Sequence, residues 1–491
     1  MRNKWFIGIV AGVLLIAVGI FALNMNRGHR MGNIWSDRDR GDNRDVIDNR
    51  DNDDADRSTR ALPIPELLVD ENPEEGVSDY YLNVQEGETS FVEGITTPTL
   101  GYNGNFLGPV IRMTRGDEVR MHVNNELRAA TSVHWHGLEV PGAADGGPLQ
   151  VIEPGAVWEP SFTVDQPAAT LWFHPHVMGS TATQVYYGLA GLILIDDEHS
   201  EELNLPDDYG VNDIPLIIQD RSFQEDGSFF YYDNMMDGVE GEHIMVNGAI
   251  EPYLDVDRVK MRFRLLNGAN ASNFNLELSD RSEFFQIATD GGLLESPVSM
   301  DALFITPGER MEIIIDFSKY DQGETLELRS DGELVMTFVV GEETADTTEI
   351  PENLATIDRY DESEATEIKS IVMDGFGHMS SINGRQFNIN RIDDTVNLGE
   401  TEIWEVTSES GMMMRGSRGH PFHIHGTQFL VLSRNGNDPP ENEKGWKDTV
   451  FVDIGETVQI IVKFNHQGVF MFHCHILEHE EAGMMGQLEV R

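Results

Sequence analysis

Three stretches of this chain, each over a hundred residues from the next, repeat one short plan. Residues 102–127 read YNGNFLGPVIRMTRGDEVRMHVNNEL, residues 246–267 read VNGAIEPYLDVDRVKMRFRLLN, and residues 382–406 read INGRQFNINRIDDTVNLGETEIWEV. Each has Asn-Gly, a strand-sized run, a polar turn and a second apolar run. A repeat at this spacing implies three domains rather than a solenoid. The surrounding texture is the same throughout: VRMHVNNEL, GLILIDD, VKMRFRLLN, MEIIIDF, TVQIIVKF and GQLEV are short, apolar and turn-bounded. Such runs predict strands, and nothing matches a long amphipathic helix. The expected fold is all-β, with three β-sandwich domains. We place them at residues 62–205, 206–345 and 366–491, with a strand-poor acidic linker over 346–365.

The first sixty residues differ in kind. Trp5 to Leu23 is a run of 19 residues without a charge, behind Arg2 and Lys4. It approaches the ~20 residues that cross a bilayer and exceeds a usual signal-peptide core of ~7–15. Residues 1–24 are therefore expected to anchor the chain with its body outside the cytoplasm; a secreted protein released by signal cleavage is the alternative. Residues 25–61 are rich in Asp, Arg and Asn, cannot bury enough surface to fold, and read as a hydrated spacer. Membrane contact is expected through the N-terminal segment alone, and the body is expected to be a monomer. The formal charge of −51 excludes a general affinity for nucleic acid.

Histidine is distributed unevenly. HWHG holds His134 and His136, HPH holds His174 and His176, HPFHIHG holds His420, His423 and His425, and HCH holds His473 and His475. The middle repeat has His243 alone, outside any such pair. Residues i and i+2 of a strand share a face, so each His-x-His offers two imidazoles side by side. One pair is coincidence; four pairs confined to the first and third repeats point to metal. The alternation also puts Cys474, the single cysteine, on the face opposite His473 and His475. One strand can then serve two metal sites. The remaining soft ligands, His420, Cys474, His479 and Met484, make the His₂Cys-plus-axial-Met set of a blue-copper site. Zinc also takes His and Cys, but gains nothing from a thioether and does not account for eight further histidines.

The segments HWHGLEVPGAADGGP, HPH, HPFHIHGTQF, GWKDTV and HCHILEHEEAGMM resemble the copper-binding segments of three-domain multicopper oxidases, in particular bacterial laccases of the copper-efflux cuprous oxidase type. The likeness covers about residues 62–491. It implies three cupredoxin-like Greek-key domains and four copper ions per chain. By that resemblance, His420, Cys474, His479 and Met484 hold a type 1 copper. His134 and His423 hold a type 2 copper. One type 3 copper takes His136, His174 and His475, and the other His176, His425 and His473. The resemblance also implies coupling of four one-electron oxidations to reduction of O2 to two waters, with Glu480 and Asp145 assisting proton transfer.

The axial thioether predicts a modest potential, suited to phenols, aromatic amines or Cu(I); with Cu(I) as substrate, a role in copper tolerance is expected. The chain lacks the long Met-rich insertion of copper-efflux oxidases. It has instead Met373, Asp374 and Met379, and a GMMMRGSRG stretch with Met412, Met413 and Met414, as candidate Cu(I)-docking residues. A non-catalytic copper-binding or partner-binding cupredoxin and a copper nitrite reductase are the competing functions. Twelve ligands kept in register argue against the first, and domain count against the second.

Overall fold

A computed structural model describes residues 60–232, 234–345, 348–375, 377–409 and 419–491. The anchor and nearly all of the spacer expected above, and Met412, Met413 and Met414, lie outside them. Among the described residues there are six sheets, and they fall into three pairs in chain order. Sheets of five and four strands use strands between Val77 and Asp196. Sheets of seven and five use strands between Asp213 and Val340, and two sheets of five use strands between Ile368 and Val490. Each pair shares an apolar core to which both of its sheets contribute. All six runs quoted above are strands, for example Glu118–Asn125, Lys260–Asn267 and Thr457–Lys463. The α-helices among the described residues are short: Thr181–Tyr186, Glu198–Glu202 and Leu477–Glu481. No helix among the described residues is long and apolar enough to cross a membrane.

The repeated Asn-Gly has one structural purpose in all three places. Asn103, Asn247 and Asn383 are left-handed, with φ of 53°, 50° and 52°, a conformation that Asn tolerates better than most residues. Each side chain then clamps the strand beside it. Asn103 Oδ1 accepts from Asn83 N (2.6 Å) while its Nδ2 donates to Tyr81 O (2.8 Å). Asn247 does the same with Ile217 N (2.8 Å) and Pro215 O (2.8 Å), and Asn383 with Val372 N (2.7 Å) and Ser370 O (3.0 Å). The clamped strands, Val77–Thr89, Asp213–Arg221 and Ile368–Asp374, each pair in parallel with the second strand of their repeat.

Two connecting segments are more tightly bound than their composition suggests. Leu62, placed by sequence at the start of the first domain, is buried in the core of the middle sandwich, and Leu62 N donates to Tyr253 O (2.7 Å). The described part of 346–365 has no strand, as expected, but Leu354 and Ile357 are buried. Leu354 N donates to Glu295 O (2.9 Å), and His199 Nε2 donates to Leu354 O (2.7 Å). This segment is a packed strap, because its few apolar residues find grooves that its acidic composition does not reveal.

Candidate metal centre

Strand pairing assembles the imidazoles in two blocks. In the first sandwich, His134–His136 is an edge strand antiparallel to Ala169–His174, with His134 opposite His174. In the third, His420–Ile424 runs antiparallel to Gly468–Cys474, with His423 opposite His473 and Phe422 opposite Cys474. Cross-strand partners stand about 5 Å apart, so each block gathers four rings. The blocks meet face to face. His134 stacks on His425 and His136 on His423, each with ring centroids 3.6 Å apart. All eight rings are buried.

The ring nitrogens converge in threes. His176 Nε2 and His425 Nε2 each lie 3.1 Å from His473 Nε2. His136, His174 and His475 offer three atoms within 4.8 Å of one another, as do His134, His136 and His423. Two ligands held ~2.0 Å from one ion in tetrahedral array would be about 3.3 Å apart. The tautomers also fit a cation. His473 donates its Nδ1 proton to Cys474 O (3.0 Å) and His425 donates its own to Asp145 Oδ2 (2.8 Å), so their facing Nε2 atoms carry lone pairs. Burial holds His136, His174, His176, His425, His473 and His475 well below the usual imidazole range, and their mutual repulsion adds to it. His136 Nδ1, His174 Nε2 and both nitrogens of His475 have no hydrogen-bond partner. A buried, neutral set of lone pairs without donors is expensive unless a positive ion sits among them.

Cys474 points to the other face of its strand, as the alternation requires. Its Sγ lies 3.4 Å from His420 Nδ1 and 3.8 Å from His479 Nδ1, and those two nitrogens are 3.4 Å apart. Met484 is fully buried, and its main chain ties the corner together: Cys474 N donates to Met484 O (3.1 Å) and Met484 N to His479 O (2.9 Å). Burial pushes the thiol up and lowers His420 to about 3, so both are neutral without an ion. His479 sits on the short helix Leu477–Glu481 and donates its outer Nε2 proton to Met236 O of the middle sandwich (3.2 Å).

Residues 83–200, 233–324 and 350–491 each match a multicopper oxidase family model. The multicopper oxidase mco of Staphylococcus epidermidis is 42% identical over 426 residues, 87% of this chain and 91% of that protein. The chain belongs to the multicopper oxidases. The laccase of Pediococcus acidilactici superposes with a TM-score of 0.85 at 40% identity, covering 88% of this chain and 94% of that one. A Campylobacter jejuni multicopper oxidase described as a metallo-oxidase gives 0.77 at 30% identity, covering 88% and 96%. The expectation of an oxidoreductase that uses copper and O2 is thus met at the level of the family.

The two acids singled out in the oxidase sequence both lie at the histidine seam. Asp145 accepts from His425 through Oδ2, and its main-chain O accepts from His134 Nδ1 (3.0 Å). Gly146, at φ +81°, lets the chain turn there; a Cβ on it would sit 1.7 Å from Val133 O. Glu480 places its carboxyl oxygens 3.3 Å from His176 Nδ1 and 3.4 Å from His473 Nδ1. Burial, helped by Glu481 and Glu478, raises it well above the usual carboxyl range. It also lines a small cavity of about 150 Å³ with His176, Met178 and Gln386.

Sequence reasoning missed Asp448 and Glu478. Asp448 Oδ1 accepts from His136 Nε2 (2.9 Å), and Asp448 O accepts from His423 Nδ1 (2.9 Å). The GWKDTV segment contained it, without a sign of its task. Glu478 receives Asn270 Nδ2 (2.8 Å), Val239 N (3.1 Å) and Tyr231 Oη (3.1 Å) from the middle sandwich, and so fixes the helix that carries His479.

One candidate docking residue changes character. Met373 is fully buried in the core of the third sandwich, because it alternates with Ile371 on the inner face of Ile368–Asp374. Its sulfur is not available to an incoming ion. Asp374 is half-buried and accepts from Gly375 N (2.7 Å). Met379 is 60% exposed.

Proposed function

We propose that this oxidase carries four coppers: one at His420, Cys474, His479 and Met484, and three at the seam, shared as His134 with His423, His136 with His174 and His475, and His176 with His425 and His473. The single observation that carries this reading is the strand around Cys474. Its sulfur joins one group of converging atoms, and the rings of the two flanking residues join the other. Copper, when bound, would supply one-electron redox chemistry, so four electrons from reductants together with four protons balance reduction of O2 to two waters. The chain's own residues do the rest. Residues 473–475 link the two groups through a few covalent bonds. Glu480 holds a proton at its buried carboxyl beside His176 and His473. Asp145 orients His134 and His425 through one backbone and one side-chain acceptor. The domain bounds given above, with Leu62 reassigned to the middle sandwich, describe how the sites are carried.

The reductants are electron-rich phenols, aromatic amines and Cu(I). The outer nitrogen of His479 is the proposed entry for electrons, and Met379, Asp374, Met412, Met413 and Met414 are the proposed Cu(I)-docking residues. The protein acts outside the cytoplasm, held by residues 1–24, as a monomer. Copper-loaded protein should be blue, bind about four ions, and consume O2 with each of Cu(I), Fe(II), a methoxyphenol and an aromatic amine at rates that rank its substrates. A colourless holoprotein without O2 uptake would end this reading.

A further inference from the structure

The middle sandwich supplies none of the eight seam histidines, yet one of its side chains lies directly behind them. Arg310 opens the strand Arg310–Asp316 and is fully buried. It uses every donor it has. Nε donates to Thr170 O of the first sandwich (3.1 Å). Nη1 donates to Gly308 O (2.9 Å) and Asp448 Oδ1 (2.7 Å), and Nη2 to Asp290 O (3.1 Å) and Asp448 Oδ2 (2.5 Å). The three sandwiches therefore meet on one guanidinium. Gly137, which follows HWH, leaves the room for this: a Cβ there would come within 2.7 Å of both Arg310 Nη2 and Asp448 Oδ2.

Asp448 passes the constraint on. A carboxylate gripped by a guanidinium fork cannot rotate without losing two charge-assisted bonds. Its Oδ1 receives His136 Nε2 (2.9 Å), its Oδ2 receives Gln428 Nε2 (2.9 Å), and its main chain receives His423 Nδ1. His136 is thereby turned the opposite way to its neighbours. In His134, His174, His423, His425 and His473 the scaffold takes the proton of Nδ1. In His136 it takes that of Nε2 and leaves Nδ1 bare.

We infer that Arg310 is a positioning residue for the oxygen-reducing site. By locking Asp448 it sets the ring orientation of His136 and His423 and decides which nitrogen of His136 faces the metal. This rests on the assignment of those two histidines as copper ligands. The middle sandwich is then a working part of the site.

The test compares copper-loaded wild type with Arg310→Lys, which keeps the charge and loses the fork, and Asp448→Asn, which keeps the shape and loses the charge. Copper per chain, the blue absorbance, the electron paramagnetic resonance splitting of the type 2 copper, and the rate at which O2 reoxidises the reduced protein are measured on each. Both variants should keep the blue absorbance. Both should shift the type 2 splitting or bind fewer coppers, and reoxidise about a hundredfold more slowly, as a small misplacement of reacting groups does. The two effects should not add when combined, because the pair acts as a unit. A salt bridge that merely stabilises the fold would lower the melting temperature and leave splitting and copper count as in wild type; that result in folded R310K overturns the inference. If R310K does not accumulate as folded protein, D448N decides by the same readouts. Wild type without the seam coppers would instead refute the assignment of the histidines.

Discussion

The two sites meet at three consecutive residues, Cys474 serving one and His473 and His475 the other, and are otherwise built differently. As proposed, the sulfur corner draws His420, Cys474, His479 and Met484 from a single sandwich, whereas the histidine seam needs two sandwiches docked face to face, with the middle one behind them. A site inside one domain depends on strand register and one helical turn. A site at a seam depends on every contact that fixes the domains against each other. That is why acids and cations are dense around the seam. Asp290, Lys447, Glu309, Arg310 and Asp448 form one buried network there. Burial works to raise the Asp448 carboxyl, but Arg310 and His136 outweigh it and hold it well below the carboxylate range. Buried ion pairs add little net stability compared with well-packed apolar side chains, and the role inferred for this one is to set geometry.

The sharpest way to break the comparison is Cys474→Ser. It should abolish the blue absorbance and lower O2 uptake by about a thousandfold or more, an interaction loss of ~4 kcal/mol. The seam should still bind metal, because none of its rings is touched; a metal count that falls to zero would show that the two sites do not form independently. Next in size is Glu480→Gln, which should slow reoxidation by O2 roughly a hundredfold, the usual weight of a positioned acid. The blue absorbance should persist, and unchanged turnover would remove Glu480 from proton delivery.

A third contrast concerns pH in the metal-free protein. The folded imidazoles of His136, His174, His176, His423, His425, His473 and His475 lie below their unfolded value, which is about 6.5, and His420 reaches about 3. The unfolded chain therefore takes up protons that the folded chain refuses. Stability is intact above pH ~6.5 and is lost toward pH 3, by up to about 1.4 kcal/mol per pH unit for each such histidine. The seam, with more of these rings than the corner, should dominate, so replacing His174 with Gln should flatten the melting-temperature profile more than any one exposed histidine such as His243. A flat profile in the unsubstituted apoprotein would refute neutral burial.

The smallest expected effect tests what the three sandwiches have in common. Asn103→Ala, Asn247→Ala and Asn383→Ala each delete the same clamp and should each cost about 1–3 kcal/mol. Urea unfolding measures it, and a cost confined to the first and third sandwiches would mean that the middle copy has lost the role.

Much of this was legible in the chain. Asn-Gly three times over announced three copies of one strand plan, and period-two spacing was enough to put His473 and Cys474 on opposite faces. Met373 was misjudged because a thioether in a strand reads the same whether its face is buried or exposed. Leu62 was misjudged because the sandwich it enters begins a hundred and fifty residues later, at Asp213. Glu478 stood next to His479, in a chain with 85 acidic side chains, and only its three partners from the middle sandwich single it out.

The sequence by itself determined the strand content, the threefold plan, the family and the candidate donor residues, since all of these depend on residue type and on spacing within a few positions. Tertiary structure alone decided which rings face one another, that His136 offers Nδ1, and that Arg310 stands behind Asp448. Those depend on residues 138 and 312 positions apart in the chain, brought into hydrogen-bonding range by the docking of separate cores, and no local pattern encodes a distance of that kind.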